Sequence, residues 1–444
     1  MFRQKILLIS VLSILLLSCM CPFSGIPTQI IERFSQMEPV EVVLPVASET
    51  SPADPTSTAT IEPTTSEALE PTSTPTIEPT QTQVLKIDYQ DTFMHRGNLA
   101  RTGAYQSPGP KVSPNLLWKF AAGDSIYSVP AIFDGVAYFG SHDGNLYAVD
   151  VTTGAALWSF TTGDMVIGPP AIANGMLYFG SDDGYLYALD INTGNVLWSF
   201  ETAGWVSSSP AIDDGKVIFG SWDGFLYSLD AQTGAEVWKF EVEGFNDPDS
   251  GLQKGVDSSP AISEGLVLFG SEQIGGASKE LFFYALDIQT GQKLWAYTTW
   301  NMLTPPAIAE GAVYFGGFGS FYGLDIDDGS LMLDFDAGII TTAPAIDDGV
   351  AYFGTQDGLL FAVDLQTGKE KWIFEAGDYI GFPPSVSDGV VYFGCADGLL
   401  RALEGQTGQV LWEYQTGEYI STAPVISAGV LYFGTDEGHL FALD

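Results

Sequence analysis

A unit of about forty residues recurs from residue 116 to the end of the chain. Each copy reads Pro-Ala-Ile or a close variant, an Asp-Gly or related pair, an apolar run such as "VAYFG", a second Asp-Gly pair, "LYALD", then Thr-Gly and a tryptophan. The apolar runs are short, rich in Val, Ile, Tyr, Phe and Leu, and bounded by glycine-containing turns, which predicts four antiparallel strands per copy. Four strands in forty residues is the size of one propeller blade. First-strand prolines stand at Pro130, Pro170, Pro210, Pro260, Pro306, Pro344, Pro384 and Pro424, and third-strand acids at Asp150, Asp190, Asp230, Asp287, Asp325, Asp364, Glu404 and Asp444, so both markers number eight. The fourth-strand position carries Trp118, Trp158, Trp198, Trp238, Trp295, Trp372 and Trp412, with Leu333 in register where one copy lacks the ring. That series is shifted by one copy. The last copy stops after its third strand at "HLFALD", while "NLLWKF" near residue 118 is a fourth strand with no copy before it. The expected fold is therefore an all-β, eight-bladed propeller of four-stranded antiparallel blades. Pairing the N-terminal strand with the last blade would close the ring and leave neither terminus as a free sheet edge.

The eight acids and the Asp-Gly pairs are expected to cap and form turns rather than bind metal, because Asp readily bonds backbone N–H groups nearby. The core pattern Ala-x-Asp-x-x-Thr-Gly-x-x-x-Trp is intact at 148–158, 188–198, 285–295 and 362–372; 228–238 and 402–412 each differ at one position, and 323–333 is degenerate. This resembles the tryptophan-docking motif of the pyrroloquinoline quinone (PQQ) repeat family. The resemblance covers about residues 96–444, and "HRGNLARTG" at 95–103 resembles the lead-in of that family's non-catalytic propellers. It implies that Trp118, Trp158, Trp198, Trp238, Trp295, Trp372 and Trp412 dock between neighbouring blades. There each indole would stack on a Thr-Gly peptide, whose glycine leaves the peptide plane bare.

Sixteen Lys and Arg stand against 55 Asp and Glu, a net charge of −39 that repels phosphate backbones, so nucleic acid is not an expected partner. Three cysteines, Cys19, Cys21 and Cys395, are too few and too scattered for a disulfide framework. The twelve-residue, largely apolar run at 6–17, preceded by basic residues, reads as the core of a signal peptide spanning 1–18. They end at Leu-Ser-Cys, which resembles the bacterial lipobox and implies a lipidated Cys19 held by several acyl chains. Residues 19–90 then read as a lipidated N-terminus followed by a disordered Pro/Thr/Ser/Glu-rich tether, and 91–444 as the propeller. The expected location is extracytoplasmic, in the cell envelope, with membrane contact only through the anchor and a monomeric propeller.

Departures from the repeat mark the candidate site. Loops joining strand two to three, and strand four to the next blade's first strand, share one rim. The spacing from Trp238 to Trp295 is 57 rather than the usual 40, and the surplus falls in both kinds of loop around the fourth blade, at 243–259 and 272–280. Trp205, Trp222, Trp300 and Phe318 occupy rim positions of blades three to five and form the candidate partner-binding arc, exposed tryptophan being favoured at binding hot spots. The competing reading is that these rings pack over the channel mouth. An opposite arc carries Asp124, Asp164, Asp378 and Glu418, read as solvated surface.

The resemblance brings two functional classes. Catalytic members, the quinoprotein alcohol dehydrogenases, hold PQQ and calcium beside a vicinal Cys-Cys disulfide; with Cys395 alone in the propeller, that disulfide cannot form here. Non-catalytic members include the propeller lipoprotein of the outer-membrane β-barrel assembly machinery. The expectation is a non-enzymatic, lipid-anchored binding or scaffold protein, without PQQ, calcium or other cofactor, whose partner is a protein or glycan. A PQQ-dependent dehydrogenase and a carbohydrate-binding surface protein are the alternatives. The three histidines, His95, His142 and His439, show no paired-ligand spacing.

Overall fold

The computed structural model describes residues 95–243, 253–274, 280–300 and 304–444, with no account of the side chains of Gln253, Gln273, Ile274, Glu280 and Trp300. The expected signal peptide, Cys19 and the tether lie outside these residues. Eight four-stranded antiparallel sheets form the propeller. Six are built from consecutive strands, and in a seventh, blade four, the ribbon strand Glu272–Ile274 intervenes between the second and third. The eighth places Leu116–Ala121 beside His439–Leu443, with Trp118 opposite Ala442 and Phe120 opposite Leu440. The innermost strands touch neighbour to neighbour all the way round, Ala131–Phe133 of blade one meeting Val425–Ser427 of blade eight. The expected ring and its closure are both present.

The turn chemistry explains the regularity. Between strands one and two the eight turns carry Asp134, Asn174, Asp214, Glu264, Glu310, Asp348, Asp388 and Ala428, all with positive φ, each followed by a positive-φ glycine. That is the backbone of a two-residue turn whose twist matches antiparallel strands. At the third-to-fourth turn, Asp150 Oδ1 accepts hydrogen bonds from the backbone N–H groups of Thr152 and Thr153 and from the Thr153 hydroxyl. Asp190, Asp230, Asp287 and Asp364 repeat the contact with a threonine three residues on.

Every outer strand contains a bulge one residue before the Trp position. In blade one, Trp158 pairs with Ala148 and Ala156 with Val149, so Leu157 is left over and stands exposed. The extra residue turns outward so that its neighbour turns in. Six indoles lie on the glycine of the next blade's turn, a Thr-Gly pair in every case except Asp328-Gly329 under Trp295: a Cβ on Gly154 would come within 2.8 Å of Trp118, and one on Gly194 within 2.7 Å of Trp158. The indole Nε1 donates across the same boundary, from Trp118 to the Val151 carbonyl and from Trp238 to that of Ile288. Blade eight has no Thr-Gly turn, and there Trp412 donates to the Pro110 carbonyl, which Tyr392 also engages.

The lead-in occupies the axis. Carbonyls of Leu99, Ala100, Thr102 and Gly103 accept from the backbone N–H groups of Ile262, Ile308, Ile346 and Val386, one innermost strand after another from blade four to blade seven. The chain then passes Ser107, whose carbonyl accepts from Ser387 and whose hydroxyl accepts from the Gly429 N–H, and Pro110 on its way to the closing strand.

Candidate functional site

The rim that carries the insertions is tied together by the second Asp-Gly pair. Asp143 accepts from the backbone of Gly123 and Asn145 and from the Tyr147 hydroxyl. Asp183 and Asp223 repeat the pattern in blades two and three. Side chains beside these ties are thus presented on fixed backbone, a suitable base for recognition.

Around blade four the two insertions meet: Gln253–Gly255 pairs antiparallel with Glu272–Ile274, aligning Lys254 with Gln273. This ribbon packs on Trp222, because a Cβ on Gly255 would lie 2.4 Å from the indole. Trp222 is half-buried, and its N–H serves the Asp257 carboxylate. Trp205 stands edge-on to it, ring centres 6.4 Å apart, and is 49% exposed. The pair is therefore part packing and part surface. Phe318, 53% exposed, begins the lengthened third strand of blade five opposite Ile339. Among the described residues it makes no ring contact with the tryptophans. Trp300 ends strand Lys293–Trp300, and its ring lies outside the described residues.

Carboxylates crowd this side. Burial pushes Asp257 up to about 6 and, with the Asp257 charge, Glu272 up to about 8. Asp182 is pushed to about 6 by burial, against a hydrogen bond from Ser207 and assisted by the charges of Asp164 and Asp257.

The opposite arc is less uniform than its sequence. Asp124, Asp164 and Asp378 are exposed, but Glu418 is a hub of the closing blade. It accepts from Lys119 and Thr435, each at 2.6 Å, and pairs with His439 Nδ1 at 2.9 Å. Burial alone would raise its pKa; these donors hold it below the usual range. The same side carries an aromatic group that the repeat pattern does not reveal. Tyr127 stacks on His142 at 4.7 Å and touches Phe382, which touches Tyr419, linking blades one, seven and eight. The available signal was Phe382, which stands where other copies have Ser, Thr or Gly.

Inside the ring sit residues missed entirely from the sequence. Arg101 is fully buried and Arg96 2% exposed. Arg101 donates through Nε to the Pro260 carbonyl and through Nη2 to those of Ser209 and Pro210, 3.0 and 3.3 Å away. Arg96 Nη2 donates to the Pro344 carbonyl.

Cys395 is buried and its thiol donates to the Asp378 carbonyl. Among the described residues no three His, Cys, Asp or Glu side chains converge so as to hold a metal ion.

Solved structures with this architecture include the computationally designed Ika8 protein, at 21% identity and a TM-score of 0.62, covering 74% of this chain and 98% of that one. BamB from Moraxella catarrhalis is similar at 21% identity and 0.62, covering 75% and 100%. A europium-containing methanol dehydrogenase is similar at 18% identity and 0.66, covering 79% and 97%. Such identities carry the fold and not the activity. Comparison with curated proteins finds no match. At the level of sequence, the family described as outer membrane protein assembly factor BamB matches residues 112–332 and 283–444. With the match running through every blade and the eightfold ring closed as the repeat requires, the chain belongs to that family of PQQ-repeat propellers.

Proposed function

We propose that this protein is a non-catalytic scaffold of the bacterial cell envelope that holds a protein partner on the rim of blades three to five. The observation that carries the reading is the Trp205–Trp222 pair, one ring half-buried against the inserted ribbon and the other presented to solvent. A rigid aromatic anchor with a supported base is the usual form of a binding hot spot. Membership in a family described by outer-membrane protein assembly supports a partner that is itself a protein, and an outer-membrane setting.

In this reading residues 1–18 are removed, Cys19 carries the lipid, 19–90 form the tether, and 91–444 form the propeller. No quinone or calcium takes part. The propeller's single cysteine supports this, as does the lead-in that lies along the innermost strands of blades four to seven.

A photo-crosslinking amino acid at position 205 or 318, compared with one at the exposed bulge position 157, tests the proposal in intact cells. Discrete protein adducts are expected from 205 and 318 but not from 157, and Trp205→Ala should abolish capture through 318 while leaving the melting temperature within about 1 °C, as for a surface change. Equal adducts from all three positions, or glycan capture by the purified propeller with no protein adduct, would refute it.

A further inference from the structure

The channel contains polar groups that no described residue answers. Among the described residues, Arg96 Nε and Nη1, Arg101 Nη1 and His95 Nδ1 are buried without a hydrogen-bond partner, as is Ser209 Oγ, whose own carbonyl receives Arg101 Nη2. Both guanidinium groups act on His95, so the three side chains converge on one region. Among the described residues neither arginine bonds a carboxylate. Arg401, also buried, shows what this chain otherwise does with such a group: it is held by Asp397 and Glu413. In a chain with 55 acidic and 16 basic side chains, two arginines left facing each other need a counter-charge.

The groups are also fixed in place. Carbonyls from blades three, four and six hold the two guanidinium planes, and Arg96 and Arg101 both adopt positive φ. Gly103 leaves room for Arg96: a Cβ there would lie 2.6 Å from its Nη2. Free N–H groups on two oriented forks match an acceptor-only group with several lone pairs, which is the chemistry of a carboxylate or phosphate oxyanion.

We propose that the propeller axis is an oxyanion site formed by His95, Arg96 and Arg101. The acceptor is a free small anion that presents carboxylate or phosphate oxygens. Occupancy would lock the lead-in to blades three, four and six, so it should be read as stability.

Thermal melts of the full-length protein in detergent at pH 8, with millimolar phosphate or acetate against chloride at fixed ionic strength, test the site. The expected result is a saturable rise in melting temperature whose apparent affinity falls by about tenfold or more in Arg96→Gln and in His95→Leu. No saturable response in the wild type overturns the proposal, because water then suffices for these donors. A response unchanged in both Arg96→Gln and His95→Leu overturns it equally, since the anion then binds elsewhere. Both His95 and Arg96 can be replaced while Arg101 keeps its three carbonyl contacts, which preserves a folded protein for the measurement.

Discussion

Replacing Trp118 with alanine tests the ring closure where it is least supported by covalent connection. The closing strand reaches blade eight through its pairing with His439–Leu443, the Asn115–Asp444 backbone bonds and Lys119, with no covalent turn to that sheet. Trp118 adds the indole over Gly154, the 2.7 Å bond from Nε1 to the Val151 carbonyl and a tilted contact with Tyr432. Removing a buried Trp costs roughly 3–5 kcal/mol, and partial exposure of this ring places the loss near 3 kcal/mol. Val151 is only partly buried, so water can reach its freed carbonyl, which keeps the estimate at that end. That loss is a large share of the 5–15 kcal/mol that usually separates folded from unfolded chains. Trp198→Ala removes the same kind of ring from a strand that a turn connects directly to its sheet. Urea unfolding followed by circular dichroism should therefore show both variants destabilised, with a lower slope only for Trp118→Ala, as the unlatched strand frays before the ring opens. A loss below about 1 kcal/mol, or no more than that of the exposed bulge variant Leu157→Ala, would refute the closure reasoning.

Three further outcomes follow from single positions. Leu333→Trp should stabilise by about 1 kcal/mol in urea, since its side chain already lies over Gly368 where six other blade boundaries place an indole on glycine; destabilisation would mean the blade-five boundary is too narrow. Ala428→Asn should raise stability by about 0.5 kcal/mol, because Ala428 has φ 50° in a turn where asparagine tolerates that region better; an unchanged melt would remove backbone strain as the reason. Glu272→Gln should stabilise most at high pH. With its pKa raised to about 8, Glu272 disfavours the folded state when ionised, and the penalty fades as pH falls from about 8 toward the unfolded value near 4.5. The stability gap between variant and wild type should shrink over that window; a constant gap sinks the argument. Taking the difference removes His95 and His142, whose lowered pKa values cost stability as pH falls below about 6.5.

The blades were legible because their information is local. An Asp-Gly pair selects a turn within two residues, and a bulge beside tryptophan turns its ring inward within one. The rim was half legible. Insert lengths marked blade four, yet nothing in the sequence said that the two insertions would pair or that Trp222 would lie beneath them while Trp205 stayed outside. Glu418 was misleading for a related reason: it shares a repeat position with exposed acids, but its partners Lys119 and His439 come from opposite ends of the chain. The lead-in was recognisable by resemblance, but its contacts were illegible. Its contacts are backbone carbonyls on strands more than 100 residues away, as with Arg101 and Ser209, 108 positions apart, and such contacts leave no mark in a hydrophobic pattern. The only visible sign was two of the chain's few basic residues flanked by glycines at 95–103.

The same segment thus fastens the ring at its centre and at its circumference. Leu99 to Gly103 binds the innermost strands of blades four to seven, and Leu116–Ala121 completes the outermost strand of blade eight. In the proposed anchored protein this order matters mechanically. A pull on the N-terminal side of residue 95 first loads the axial contacts, including the carbonyl bonds of Arg96 and Arg101, and reaches the closing strand only after they yield. An outer strand loaded directly from its end could peel one hydrogen bond at a time, whereas the axial segment draws on four blades together. A domain held on a tether is best attached in this way, because tension is shared among the blades that grip the axial segment and leaves the edge, and the partner rim beyond it, undisturbed.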